Sequence, residues 1–111
     1  MKTGIELIAD ERQRQIEVKG YGEERDKIVH PTALTRAAIA YCEAANYSMR
    51  KDVRADRFRN ERVKMMTKSE WPFDPEYYHP SGIDTIRNLV KAGALIAAEI
   101  DKLQKENIEA L

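Results

Sequence analysis

From Ile83 onward, the apolar residues Ile86, Leu89, Val90, Gly93, Ile96, Ala97, Ile100, Leu103 and Ile108 fall near a seven-residue repeat. That period marks one apolar stripe running along a helix. The helix it implies would extend on the order of 40 Å, longer than any other in the chain, and a single small subunit would struggle to cover it. Gly93 lies among Ala92, Ala94, Ala97 and Ala98. Glycine inside a helix costs about 1 kcal/mol against alanine, whereas small side chains let another helix approach closely. The spacing therefore predicts a small all-α bundle with one long C-terminal amphipathic helix, completed by a second chain. The stripe from Ile86 to Leu103 is expected to be mostly buried, in part against another subunit.

The remaining segments supply shorter helices. Thr3 and Glu6 have the form of a capping box, and Ile5, Ile8, Ala9 and Ile16 follow at roughly helical spacing, which predicts a first helix over Gly4–Val18. Gly20 ends it, and the polar run Gly22–Lys27 reads as a connection. Pro31 suits a first helical position, and Leu34, Ala37, Ala38, Tyr41, Ala44 and Ala45 continue at steps of three and four, predicting a second helix over Pro31–Asn46. Residues 49–70 form a basic excursion, partly helical, in which Val53, Phe58, Val63 and Met66 show no clean period. Trp71-Pro72-Phe73-Asp74-Pro75 and His79-Pro80-Ser81-Gly82 are too rich in proline for a helix interior. Their aromatics are expected to form an ordered loop sealing one end of the core.

A chain of 111 residues is the usual size of one domain, and residues 1–111 are read as one. Nineteen basic residues balance nineteen acidic ones, which removes any whole-chain attraction to a polyanion. Arg54, Arg57, Arg59 and Arg62 make the excursion locally basic, but acidic residues interrupt it and it carries no nucleic-acid motif. Nucleic acid is therefore not an expected partner. The apolar run Ala94–Ala98 is far too short to span a bilayer, so no membrane partner is expected. The single cysteine, Cys42, and the lack of a basic-then-apolar pattern over Met1–Leu7 lead us to expect a reducing cytoplasm and an inert thiol.

Chemistry enters through a resemblance. Three C-terminal blocks carry most of it: Trp71-Pro72-Phe73, Tyr77-Tyr78-His79-Pro80, and the run from Arg87-Asn88-Leu89-Val90-Lys91 to Glu99-Ile100. Glu11-Arg12-Gln13-Arg14-Gln15, Glu17-Val18-Lys19-Gly20-Tyr21 and the segment Leu34–Tyr41 add to it. Together these blocks resemble a phage and bacterial branch of the MazG-like all-α nucleoside triphosphate pyrophosphohydrolases. The resemblance implies a helical bundle, commonly dimeric, that converts a nucleoside triphosphate to monophosphate and pyrophosphate with Mg2+. Carboxylates one helical turn apart would hold the cations that neutralise the phosphates and activate water.

Several acidic positions of that pattern are replaced. Where the family carries a Glu-His-Asp-Asp cluster this chain has Glu24-Arg25-Asp26-Lys27, its second helix has Ala33 in place of a glutamate, and its long helix has Asn88 in place of an aspartate. Two readings follow. In the first, a rearranged magnesium site uses Glu11, Glu24, Asp26 and Glu99 as catalytic acids, with Glu24 and Asp26 as metal ligands and His30 in support. In the second, the chain binds a nucleotide or a nucleotide-derived signal without hydrolysing it, and Arg25 and Lys27 meet the phosphates directly. In both, Arg12, Arg14, Gln15, Arg25, Lys27, Asn88 and Lys91 are the candidate ligand contacts. A protein-interaction module, or a nucleic-acid-binding one acting through Arg54, Arg57, Arg59 and Arg62, is a further alternative.

Each residue also has a plainer role open to it. Glu11 and Arg14 suit the solvated face of an amphipathic helix, Lys91 and Glu99 suit a surface, and His30 before Pro31 suits a helix start. Trp71 and the tyrosines are more naturally packing residues than a platform for a base.

Overall fold

The computed structural model describes residues 1–17 and 31–110. The chain is all-α, with no strand among the described residues. Helix α1 spans Gly4–Glu17, α2 Ala33–Ser48, α3 Lys51–Arg54, α4 Arg59–Thr67 and α5 Thr85–Ala110, with short 3-10 turns at Lys68–Glu70 and Pro75–Tyr77. No helix among the described residues is long and apolar enough to cross a membrane.

The capping box forms as its spacing predicts. Thr3 N–H donates to Glu6 Oε1 at 2.9 Å, and Glu6 N–H donates to Thr3 Oγ1 at 3.2 Å, satisfying two otherwise orphaned amides. Helix α2 starts two residues later than Pro31 and runs two residues past Asn46. Its last residue, Ser48, donates to Ala45 O and shares a 2.7 Å hydrogen bond with Thr85 Oγ1, which ties the end of α2 to the start of α5.

The most extensive packing is between α2 and α5, and small residues make it possible. Helix α2 presents Ala37, Ala38, Ala40 and Tyr41, and α5 answers with Ala92, Leu95 and Ala98, all buried. Alanines on both sides bring the helix backbones close together. A second, smaller core joins Ala44 to Val53 of α3 and Val63 of α4, with Tyr47 against them. The basic segment is thus anchored by two valines, and three of its arginines are tied down as well. Arg54 donates to Ser48 O, Arg62 pairs with Asp56 at 2.9 Å, and Arg50 pairs with Asp52.

Most of the seven-residue stripe of α5 does not pack within the chain, although Val90 is buried and Gly93 lies against Ile8 of α1. Ile86, Leu89, Ile96, Ile100 and Leu103 are exposed, and the buried face is the one carrying Asn88, Ala92, Leu95, Ala98 and Lys102. The reason is volume: α2 is alanine-rich and fits the small face of α5, not its isoleucines. Gly93 does allow a close approach, but the approach is made by α1. A Cβ at position 93 would lie 2.6 Å from Ile8 Cδ1.

The aromatic segment is ordered, as its prolines suggest. Tyr78 is fully buried, its hydroxyl shared with Thr67 Oγ1 and donated to Ala40 O. Trp71 stacks on Tyr78 with ring centres 5.1 Å apart and meets Tyr41 and Phe73 edge-on. Gly82 closes the segment in the left-handed region at φ 52, where a Cβ would also sit 2.1 Å from Asn60 Oδ1.

Candidate functional site

Helix α1 buries the residues least suited to burial. Ile5 and Ile16 are exposed, while Glu11 and Gln15, one turn apart, are the buried pair. A buried carboxylate requires compensation, and Glu11 has it on both oxygens. Arg14 donates from Nε to Oε1 and from Nη2 to Oε2, each at 2.7 Å. Arg87 of α5 donates to Oε1 at 2.6 Å, and Gln15 Nε2 donates to Oε2 at 3.2 Å. Burial pushes the Glu11 pKa up, but the Arg14 hydrogen bonds, the charges of Arg87 and Arg14 and the Gln15 bond outweigh it. The carboxyl is held below its ordinary value and is ionised at neutral pH.

This cluster forms one wall of a shallow open cleft lined by Glu11, Arg14, Gln15, Tyr41, Trp71, Tyr77, Lys91 and Leu95. Helix α1 supplies the polar wall, and Lys91 and Leu95 come from α5. Tyr41 of α2 and the aromatic segment supply the rings. Lys91 Nζ donates to His79 O at 2.7 Å and lies over the Tyr41 ring, 5.7 Å from its centre. The Tyr41 hydroxyl accepts from His79 N–H. His79 is therefore held at both backbone groups, which fixes the aromatic segment against α5. Trp71 Nε1 donates to Asp74 O, and Asp74 accepts from Glu76 N–H, so the turn carrying Tyr77 is itself braced.

The candidate residues from the sequence separate into groups. Glu11, Arg14, Gln15 and Lys91 come together in this cleft. Arg12 is on the same helix but points elsewhere, its Nε 3.8 Å from Asp101 Oδ2. Glu99 pairs with Lys102 at 3.1 Å and does not line the cleft. Asn88 is completely buried and serves the backbone: its Oδ1 accepts from Ser81 N–H at 2.7 Å and its Nδ2 donates to Gly82 O at 3.2 Å. A ligand contact through Asn88 does not fit that arrangement, because both ends of its amide are engaged. Glu24, Arg25, Asp26, Lys27 and His30 lie outside the described residues.

Magnesium does not fit the donor set that is described. The Glu11 oxygens are taken by cations, Asn88 is neutral and engaged, Ala33 is buried and has no donor, and Glu99 faces a lysine. No group of three or more His, Cys, Asp or Glu side chains converges among the described residues. Cys42 is half-buried beside Glu43, and burial, with that charge, pushes its thiol pKa up, away from a reactive thiolate.

No family model, curated protein or solved structure matches the chain. The cleft therefore has to be read from its own chemistry. Four carriers of that chemistry were not among the site residues expected from sequence: Arg87, Tyr41, Trp71 and Tyr77. A sequence signal existed for Arg87, which lies one turn before Lys91 on one face of α5. Tyr41 and Trp71 read as packing residues, and they are that as well as cleft walls.

Proposed function

We propose that this chain is a MazG-like nucleotide-binding protein that holds its ligand without hydrolysing it. The observation carrying this reading is the charge around Glu11. One carboxylate is met by Arg14 and Arg87, and Lys91 lines the same cleft, so among the described residues there cations outnumber the carboxylate, beside the rings of Tyr41, Trp71 and Tyr77. Such a surface suits an anion that carries a flat ring. A nucleotide is both. The resemblance described above supports the same ligand class, and Arg25 and Lys27 would add phosphate contacts to it.

Hydrolysis to monophosphate and pyrophosphate with Mg2+ is the second reading, and the sequence pair Glu24 and Asp26 is what favours it. A homo-oligomer and a cytoplasmic location belong to the proposal too. The exposed row from Ile86 to Leu103 supports the first, and the lone Cys42 supports the second.

The test is a titration with nucleoside triphosphates, with and without magnesium, followed by the fluorescence of Trp71, the one tryptophan of the chain. Product analysis accompanies it. Saturable quenching with intact nucleotide is expected. Pyrophosphate release by the parent protein would bring the hydrolase reading to the front, and no binding of any nucleotide would favour an interaction protein over both.

A further inference from the structure

We infer that Arg87 is the residue that takes the phosphates of the bound nucleotide, with Glu11 and Arg14 as the pair that positions it. The inference rests on the nucleotide-binding reading and names the group within it that meets the anion.

The hydrogen bonds of Glu11 give its two arginines different roles. Arg14 grips the carboxylate with two bonds of 2.7 Å, one to each oxygen, the fork geometry in which a guanidinium and a carboxylate neutralise each other. Arg87 adds a single bond, from Nη2 to Oε1 at 2.6 Å. One negative charge is thus shared by two positive ones, and the surplus falls on Arg87. The nearest carboxylate in sequence, Asp84, accepts from the Arg87 backbone N–H and makes no ion pair with its side chain among the described residues.

Arg87 is also accessible. Its side chain is 38% exposed against 1% for Glu11, and Nη2 is the only nitrogen of its guanidinium with an acceptor among the described residues. Neither Nε nor Nη1 is buried. That edge of the fork can meet an oxyanion with two parallel N–H bonds at the open surface, so no cavity has to enlarge. Glu11 fixes the other edge. Arg14 keeps Glu11 from claiming Arg87 with both oxygens, and a guanidinium held in place but not neutralised is the result.

The experiment titrates the common ribonucleoside triphosphates and inorganic tripolyphosphate in EDTA by calorimetry, with circular dichroism as the check of folding. Arg87→Ala should weaken every ligand that binds by about tenfold or more, and Arg87→Gln, which keeps a donor for Glu11, should do the same with less disturbance of the fold. Glu11→Gln keeps an acceptor for Arg87 and removes the negative charge, so it should tighten binding by about threefold. Arg14→Ala should weaken binding in the parent, where Glu11 then takes Arg87 fully, yet change it by less than about twofold in the Glu11→Gln background. A purely structural cluster would instead lose affinity in every variant. Unchanged affinity in folded Arg87→Gln, weaker binding in folded Glu11→Gln, or an equal loss for Arg14→Ala in both backgrounds would overturn the inference and leave nucleotide binding intact. Tripolyphosphate binding that depends on Arg87, with no nucleotide bound, would uphold the phosphate site and remove the nucleotide reading. No binding of either ligand would remove both.

Discussion

Arg87 Nη2 lies 2.6 Å from Glu11 Oε1, a contact that spans 76 positions of the chain and joins α1 to α5. Nearly all the packing of α1 in the described structure is against α5, so this pair is a main polar tie for the first helix. Arg87→Ala should cost about 1–3 kcal/mol in chemical unfolding, limited by the partial exposure of the guanidinium and by Arg14, which still pairs with Glu11. Protease cleavage within α1 should rise in the variant, and an unchanged cleavage rate would show that apolar contacts such as Ile8 on Gly93 hold the helix alone.

The same carboxylate makes stability depend on pH in a definite direction. The folded Glu11 pKa is lowered, so its contribution is fully present above the ordinary carboxylate range and is lost as pH falls through the folded value. Glu11→Gln should be less stable than the parent at pH 7, and the difference should shrink on acidification below about pH 4. Urea melts across that range measure it; a gap that widens in acid would contradict the pairing.

The resemblance suggests that Asn88→Asp and Ala33→Glu would restore acids to a metal site. The fold gives a different expectation. Asn88 is completely buried and donates to Gly82 O, and Ala33 is also buried, so each change places a carboxylate in a buried position with no cation bonded there among the described residues. Asn88→Asp should lower stability by about 2–4 kcal/mol without creating magnesium affinity, because the donor to Gly82 is lost and the Ser81 amide alone faces the new charge. A thermal melt that moves upward with magnesium in the variant only would reverse this conclusion.

Trp71 stacks on Tyr78 and touches Tyr41 and Phe73. Trp71→Ala should cost about 2–3 kcal/mol, less than for a fully enclosed indole because one edge borders the cleft. Trp71→Phe should recover most of the stability and little of any nucleotide affinity. Equal recovery of both would assign the indole to packing only.

The first, second and long C-terminal helices, the capping box and the ordered aromatic segment were legible in the sequence because each rests on local chemistry: a period, a Thr-Glu pair, a set of prolines. The packed face of α5 was not. Isoleucine and leucine at seven-residue spacing make the stronger sequence pattern, yet the intrachain partner is an alanine face, and complementarity of volume between two helices cannot be read from one of them. The site was half legible. Glu11, Gln15 and Lys91 were expected as ligand contacts or acids, but no local pattern brings Arg87 onto Glu11, and the role of Asn88 depends on a loop seven residues earlier.

The exposed row of α5 leads to an expectation about assembly. Ile100→Glu with Leu103→Glu removes two apolar side chains from it without touching the α2 face. Light scattering should give an oligomer for the parent and a smaller species for the double variant, with helicity retained. A monomeric parent would show that the row stays solvated, as scattered apolar surface often does.

The alanine seam between α2 and α5 inverts the usual direction of mutational damage. Where a core is made of large side chains, loss comes from truncation; Ala37, Ala38, Ala40, Ala92 and Ala98 have almost nothing to truncate. Harm at these sites comes from growth. Each added methylene wedges the helices apart, at about 1–3 kcal/mol for an overpacked site. The wedge would also carry Tyr41 away from Lys91 and so open the cleft from behind. Tolerance at the seam is therefore set by an upper limit on size, and glycine or serine should be accepted there more readily than valine.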